Sequence, residues 1–305
     1  MMNIYALFLG SLLLGALGTT HFDNNITSTP MEPVEITSVS YENSSDNVSN
    51  QNIKNEMVYF DDTWEYAPYT VIHNDGAMLY RATNNRKNIV VAVDAGHGTK
   101  GAAGKKIYCH PDKSKKLVGG SEDAGIKKVN AQSVGMVFND GDTENAVALK
   151  IALILKDKLL NDGYDVLMLR ESESVELDLL SRTIMANNKA DCHVSLHFDG
   201  DGLSKDKGAF FISVPDGLKK MAPVDRMWKA DDRLGQCIID GLKANNIKIY
   251  GKGRVGIDLL QTAYSTVPSV DIELGNQCSK KNSARLNAMA DGILYGIEYY
   301  YGKVF

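Results

Sequence analysis

Apolar and polar positions fall into alternating blocks over the last two thirds of the chain. Residues 88–95 (NIVVAVDA) form a continuous β-branched run, the mark of a strand buried on both faces. Asp142 or Thr143 then opens a stretch with helical spacing that runs to about Asn161, with Leu149, Ala152, Leu153, Leu159 and Leu160 on its stripe and Gly163 as its stop. Residues 164–170 (YDVLMLR) return as a strand, and Ser174 is the expected cap of a second helix ending near Ala190. Strands follow at 192–198 and 208–214, a helix over about 225–245, a strand at 269–275 (SVDIELG) and a closing helix over 283–300. Strands alternating with helices in this way predict an α/β fold, an open and mostly parallel twisted sheet with helices on both faces. Such sheets bind ligands at the carboxyl ends of their strands.

The first part of the chain follows another pattern. Residues 1–18 (MMNIYALFLGSLLLGALG) are apolar throughout, shorter than the roughly 20 residues of a spanning helix but fitting a signal h-region. We expect export, with 1–18 as a signal peptide or a retained N-terminal membrane anchor. Residues 19–56 are rich in Ser, Thr, Asn, Asp and Glu, too polar to offset the entropy of ordering, and read as a flexible tether. Aromatics return over 57–87 (Tyr59, Phe60, Trp64, Tyr66, Tyr69, Tyr80), predicting a short strand-rich lead-in to a domain spanning 88–305.

Composition narrows the function. A net charge of −5 over 305 residues implies no nucleic-acid partner. Four cysteines (Cys109, Cys192, Cys237, Cys278) without a CxxC pair exclude a cysteine zinc knuckle and demand no disulfide framework. Cys192, in an apolar run, reads as a small core residue.

Chemistry gathers where the strands end. The first strand stops in Asp94-Ala95-Gly96-His97-Gly98, which places a histidine on an exposed, conformationally free loop. The third strand ends in Ser195-Leu196-His197-Phe198-Asp199, Glu144 opens the first long helix, and Glu273 lies on the last strand. Two histidines and a carboxylate are a common catalytic zinc set, and a second carboxylate serves as general base. His193 and His197 lie about 13 Å apart on a strand rising about 3.3 Å per residue, so they cannot share one ion, and His193 reads as a packed core histidine. His110, in a loop, is an alternative ligand.

Several motifs occur in one order: Val91–Gly98 (VAVDAGHG), Thr143-Glu144-Asn145, Leu180-Ser181-Arg182-Thr183 with Ala186-Asn187, Ser195-Leu196-His197 and Val270–Gly275. Together they resemble the zinc-dependent N-acetylmuramoyl-L-alanine amidases, the autolysin and sporulation-germination type of cell-wall enzymes, over about residues 88–302. The resemblance implies one zinc ion held by His97, Glu144 and His197, with Glu273 as the catalytic base. It also implies peptidoglycan as the substrate, cut between N-acetylmuramic acid and the L-alanine of the stem peptide. Asp94 is expected to steady the first metal loop or to orient His97. A zinc peptidase acting within the stem peptide would use the same metal chemistry. A non-catalytic wall-binding or assembly protein would be expected to have lost Glu273 or a ligand, and none is lost.

Two features depart from the family pattern. Asp199 stands where Asn is usual; it either tunes the site by adding negative charge beside the metal or caps the following turn, the turn being the expected role. The stretch between His97 and Glu144 is long, with an insertion over about 100–138 carrying Lys105, Lys106, Lys113, Lys115, Lys116, Lys127 and Lys128. Without obvious secondary structure, it reads either as a solvated excursion or as a basic lid over the cleft. No wall-binding repeat is visible, so targeting is expected from the tether, the insertion or an activator protein.

Overall fold

The computed structural model describes residues 54–302 apart from residue 121; the apolar segment 1–18 and the tether as far as residue 53 lie outside the described residues. In chain order the elements are β1 (Glu56–Tyr59), β2 (Gly76–Tyr80), β3 (Val90–Ala95), β4 (Lys106–Tyr108), β5 (Lys128–Asn130), α1 (Glu144–Asn161), β6 (Asp165–Met168), α2 (Leu179–Lys189), β7 (Cys192–Asp199), β8 (Ala209–Ser213), α3 (Val224–Ala244), β9 (Ile249–Gly256), α4 (Leu260–Tyr264), β10 (Ser269–Asn276) and α5 (Ser283–Tyr300). Eight strands form one sheet in the order β1-β2-β6-β3-β7-β10-β8-β9. The central run β6-β3-β7-β10 is parallel. Antiparallel pairing appears at β1–β2, β2–β6 and β10–β8, and β9 runs parallel to β8 at the far edge. The lead-in strands β1 and β2 extend the main sheet, tied at its rim by Asp165, whose carboxylate accepts from Arg81, Arg86 and the Ala82 N–H.

The two faces of the sheet differ. One presents Val91, Val93, Ala95, Val194, Leu196, Phe198, Val270, Ile272 and Leu274 to α1, α3 and α5, and this is the main core. On the other face a smaller apolar layer, with Ala92, Leu167, Met185 and Ala186, meets α2. Because strand side chains alternate, this second face also receives Asp94, His193, Ser195, His197, Asp271 and Glu273. The polar row follows from strand period together with the pairing register of β3, β7 and β10.

Thr143 caps α1 through its side chain, accepting from the Ala146 N–H at 3.3 Å. The buried stripe of α1 runs through Val147, Ala148, Ile151, Ala152, Leu155 and Leu159, while Leu149, Leu153 and Leu160 are only partly buried at its flank. The second helix begins later than expected: Asp178, not Ser174, is its cap, accepting from the Ser181 N–H at 2.7 Å. Outside the insertion, β9 and α4 were not anticipated. The strand β9 (IYGKGRVG) carries three glycines that blur its period, and it forms by pairing with β8; α4 is a five-residue helix, too short to show periodicity. Among the described residues no helix is long and apolar enough to cross a membrane.

The insertion is not structureless. Strands β4 and β5 make an antiparallel ladder, and Ile107, Cys109, Val129 and Ala131 pack against Leu180, Ile184, Leu260, Ala263 and Tyr264 of α2 and α4. Lys116, read as a candidate lid charge, is buried at 7% exposure, whereas Lys113 and Lys115 face solvent.

Candidate metal centre

His97 follows β3 at the carboxyl edge of the sheet, with a left-handed backbone (φ 66°). Its loop is held by two buried arginines. Arg182, inside α2, donates to Asp94 Oδ1 (2.9 Å), the Ala95 carbonyl (3.2 Å), the His97 carbonyl (2.8 Å) and Thr99 Oγ1 (3.1 Å). Arg170, at the end of β6, donates to the carbonyls of Ala95 (2.7 Å), Gly96 (2.8 Å) and Asn145 (2.9 Å). The last bond joins the loop of His97 to the first turn of α1, which carries Glu144. Asp94 thus steadies the loop through Arg182. Burial opposes its ionisation, but the Arg182 guanidinium and His193 outweigh that and hold its carboxyl well below the usual range.

Glu144 opens α1, and His197 lies on β7 beside Glu273 of β10, its direct register partner. Gly96 lets His197 in: a Cβ there would stand 2.4 Å from the ring's Cε1. Three donor atoms converge. His97 Nε2 lies 2.8 Å from Glu144 Oε1 and 3.1 Å from His197 Nδ1, and His197 Nδ1 lies 3.1 Å from Glu144 Oε1. Among the described residues this is the group of three His, Cys, Asp or Glu side chains close enough to hold one ion. The sequence reading placed His97 on an exposed loop; the structure buries it at 5% exposure, because the arginines draw the loop onto the sheet and the insertion covers the ring.

The electrostatics match a site built around a cation. Burial alone would make His197 harder to protonate, yet Asp271, whose Oδ2 is 3.7 Å from Nε2, and Glu144 push its pKa up to about 10. Burial, and after it the neighbouring Asp271, raises the Glu273 carboxyl well above the usual range, and burial likewise raises Asp271. Glu273 Oε2 and Asp271 Oδ1 are buried oxygens without a hydrogen-bond partner in the protein. Three carboxylates crowd two imidazoles, and acceptors outnumber donors. A positive ion between them relieves both mismatches, so the residues fit a divalent metal.

The two other histidines weighed as ligands have partners elsewhere. His193 is fully buried between Ser195 Oγ and Ser269 Oγ, each 3.3 Å away. His110 takes no part in the cluster: it is bonded to Asp258 and Ser114. Asp199 does not cap a turn; it pairs with Lys207 and so ties down the loop between β7 and β8. Sequence reasoning passed over Arg170 and Asp271. Each left a trace: an arginine ends an apolar strand, and an aspartate sits two residues before Glu273 on a strand of period two.

Fold and site together define a class, an α/β protein with a candidate metal centre at its strand ends. The chain belongs to the N-acetylmuramoyl-L-alanine amidase family, whose sequence profile matches residues 91–299. No curated protein sequence matches it. Among solved structures, the N-acetylmuramyl-L-alanine amidase Ami1 of Mycobacterium smegmatis superposes with a TM-score of 0.59 at 21% identity, covering 71% of this chain and 98% of that one. Ami1 of Mycobacterium abscessus gives 0.57 at 20% identity, with 70% and 99% covered. The amidase AmiC2 of Nostoc punctiforme gives 0.51 at 18% identity, with 72% and 99% covered. These likenesses concern the fold.

Proposed function

We propose that this chain is a peptidoglycan amidase that hydrolyses the bond between the lactyl group of N-acetylmuramic acid and the L-alanine of the stem peptide, using one zinc ion. The observation that carries the reading is the convergence of His97 Nε2, His197 Nδ1 and Glu144 Oε1 beside the unpartnered Oε2 of Glu273. His97, Glu144 and His197 would hold the zinc, which when bound supplies Lewis acidity for the amide carbonyl and for the attacking water.

Glu273 does the proton work. Its buried Oε2, which no other protein group bonds, is the atom that takes a proton from water and returns it to the leaving amine. Asp271 stands behind His197 and opposes rotation of its ring. Arg182 and Arg170 keep the loop of His97 in register with α1. The substrate lies outside the cytoplasmic membrane, and the apolar segment 1–18 is the part of the chain suited to export. Mass spectrometry of digested peptidoglycan tests the reading. Free stem peptides beginning in L-alanine and unsubstituted glycan are expected, with the products lost on chelation and restored by zinc. Cleavage within the stem peptide instead would overturn it.

A further inference from the structure

The insertion between His97 and Glu144 reaches the candidate site at its exit. Ser133 presents both its carbonyl and its Oγ at 3.0 Å from His97 Nδ1. The Met136 N–H donates to Glu144 Oε2 at 2.8 Å, and the Met136 carbonyl accepts the Glu144 N–H at 3.0 Å. Between them Gly135 (φ +79°) passes so close that a Cβ would stand 2.8 Å from His97 Cδ2 and 2.9 Å from Glu144 Oε2. This exit is anchored: the Leu179 N–H at the start of α2 donates to the Ala131 carbonyl at 3.1 Å, and the Ala131 N–H donates to Lys105 at 2.9 Å. Nearer its middle the insertion is fastened to the loop after β9, where Asp258 accepts from the Leu117 N–H at 2.6 Å and pairs with His110.

These contacts bear on two of the three donors. A histidine that offers Nε2 to a metal needs its proton on Nδ1, and an acceptor at Nδ1 selects that tautomer and stops the ring from turning. Both Glu144 oxygens are held by backbone: the Met136 N–H fixes Oε2, and the Phe198 N–H at 2.9 Å fixes Oε1, the oxygen that faces the donors. We propose that residues 133–136 form a positioning element that sets the affinity of the site for its metal, with Ser133 and Gly135 as positioning residues. The proposal rests on the reading of His97, Glu144 and His197 as metal ligands. It gives the insertion a task other than covering the substrate: it is a wall of the metal centre, held in place at its exit and at its middle.

The test is zinc affinity, measured on the full chain by competition with a chromophoric chelator, together with thermal melting of the zinc-free proteins. Gly135→Ala should weaken zinc binding by at least about tenfold, the scale on which the partners of metal ligands act. Gly104→Ala is the control: φ is +73° there too, but no atom lies within 4 Å of the added Cβ, so it carries the backbone strain without the contact. It should bind zinc as the parent does. Ser133→Ala should cost roughly threefold, the worth of a modest hydrogen bond, and Ser133→Thr should recover it. Unchanged affinity in both Gly135→Ala and Ser133→Ala overturns the proposal, as does an equal loss in Gly104→Ala. Should the zinc-free Gly135→Ala protein fail to melt cooperatively, the Ser133 pair decides. His197→Ala tests the underlying reading separately: zinc retained at parental affinity there rejects the ligand assignment itself.

Discussion

Two buried histidine–carboxylate clusters touch the insertion, and their contrast separates structure from chemistry. At His110 every polar atom is matched: Nδ1 lies 2.7 Å from Ser114 Oγ, Nε2 lies 2.8 Å from Asp258 Oδ1, and the other carboxylate oxygen takes the Leu117 N–H. His110 and Asp258 are 0% and 1% exposed, and nothing there is left over. At His97, Glu144 and His197 the matching fails. Two imidazole nitrogens and a carboxylate oxygen crowd together, and Glu273 and Asp271 each keep a buried oxygen without a partner. A closed cluster fastens the chain, whereas one with surplus acceptors calls for something the protein does not itself supply.

The sharpest way to break this contrast is at Glu273. Glu273→Gln keeps the shape and removes the proposed base, so turnover on peptidoglycan should fall about 100-fold or more while zinc stays bound. Near-normal turnover would move the base to another residue. The closed cluster should respond in the opposite sense. His110→Ala leaves Asp258 buried without its main partner and should destabilise the fold by about 3 kcal/mol. Zinc should remain stoichiometric in that variant, as metal analysis of the purified protein would show; loss of the metal would mean that the two clusters are not separable.

The smallest effect concerns a charge site that is also closed. Burial works against ionisation of Asp165, but Arg86, Arg81 and the Ala82 N–H outweigh it and hold the carboxyl below its usual range. A depressed carboxylate stabilises the fold above its unfolded pKa of about 3.9, and that contribution is lost as pH falls through the folded value. Asp165→Asn should therefore lower stability at pH 7, and the gap to the parent should narrow as pH drops below about 4. Denaturant titrations at several pH values check this; a gap that stayed constant would assign the effect to packing instead.

The sequence by itself determined a good deal of this protein. The strand runs 192–198 and 269–275 carried His197 and Glu273 on strands, and helical spacing from Asp142 or Thr143 put Glu144 at a helix start. Motif order did the rest, assembling four residues from four separate segments. Tertiary structure decided what local pattern cannot carry. Whether His97 is exposed depends on Arg182, which lies 85 positions away in the chain, and on an insertion whose fold comes from packing on α2 and α4. The loop position of His110 looked the same as a ligand's; only its meeting with Asp258, 148 positions away, closes it. Strand β9 exists because β8 offers it a ladder. Periodicity is written into neighbouring residues, but the partners of a buried polar atom are chosen by the way distant segments come together.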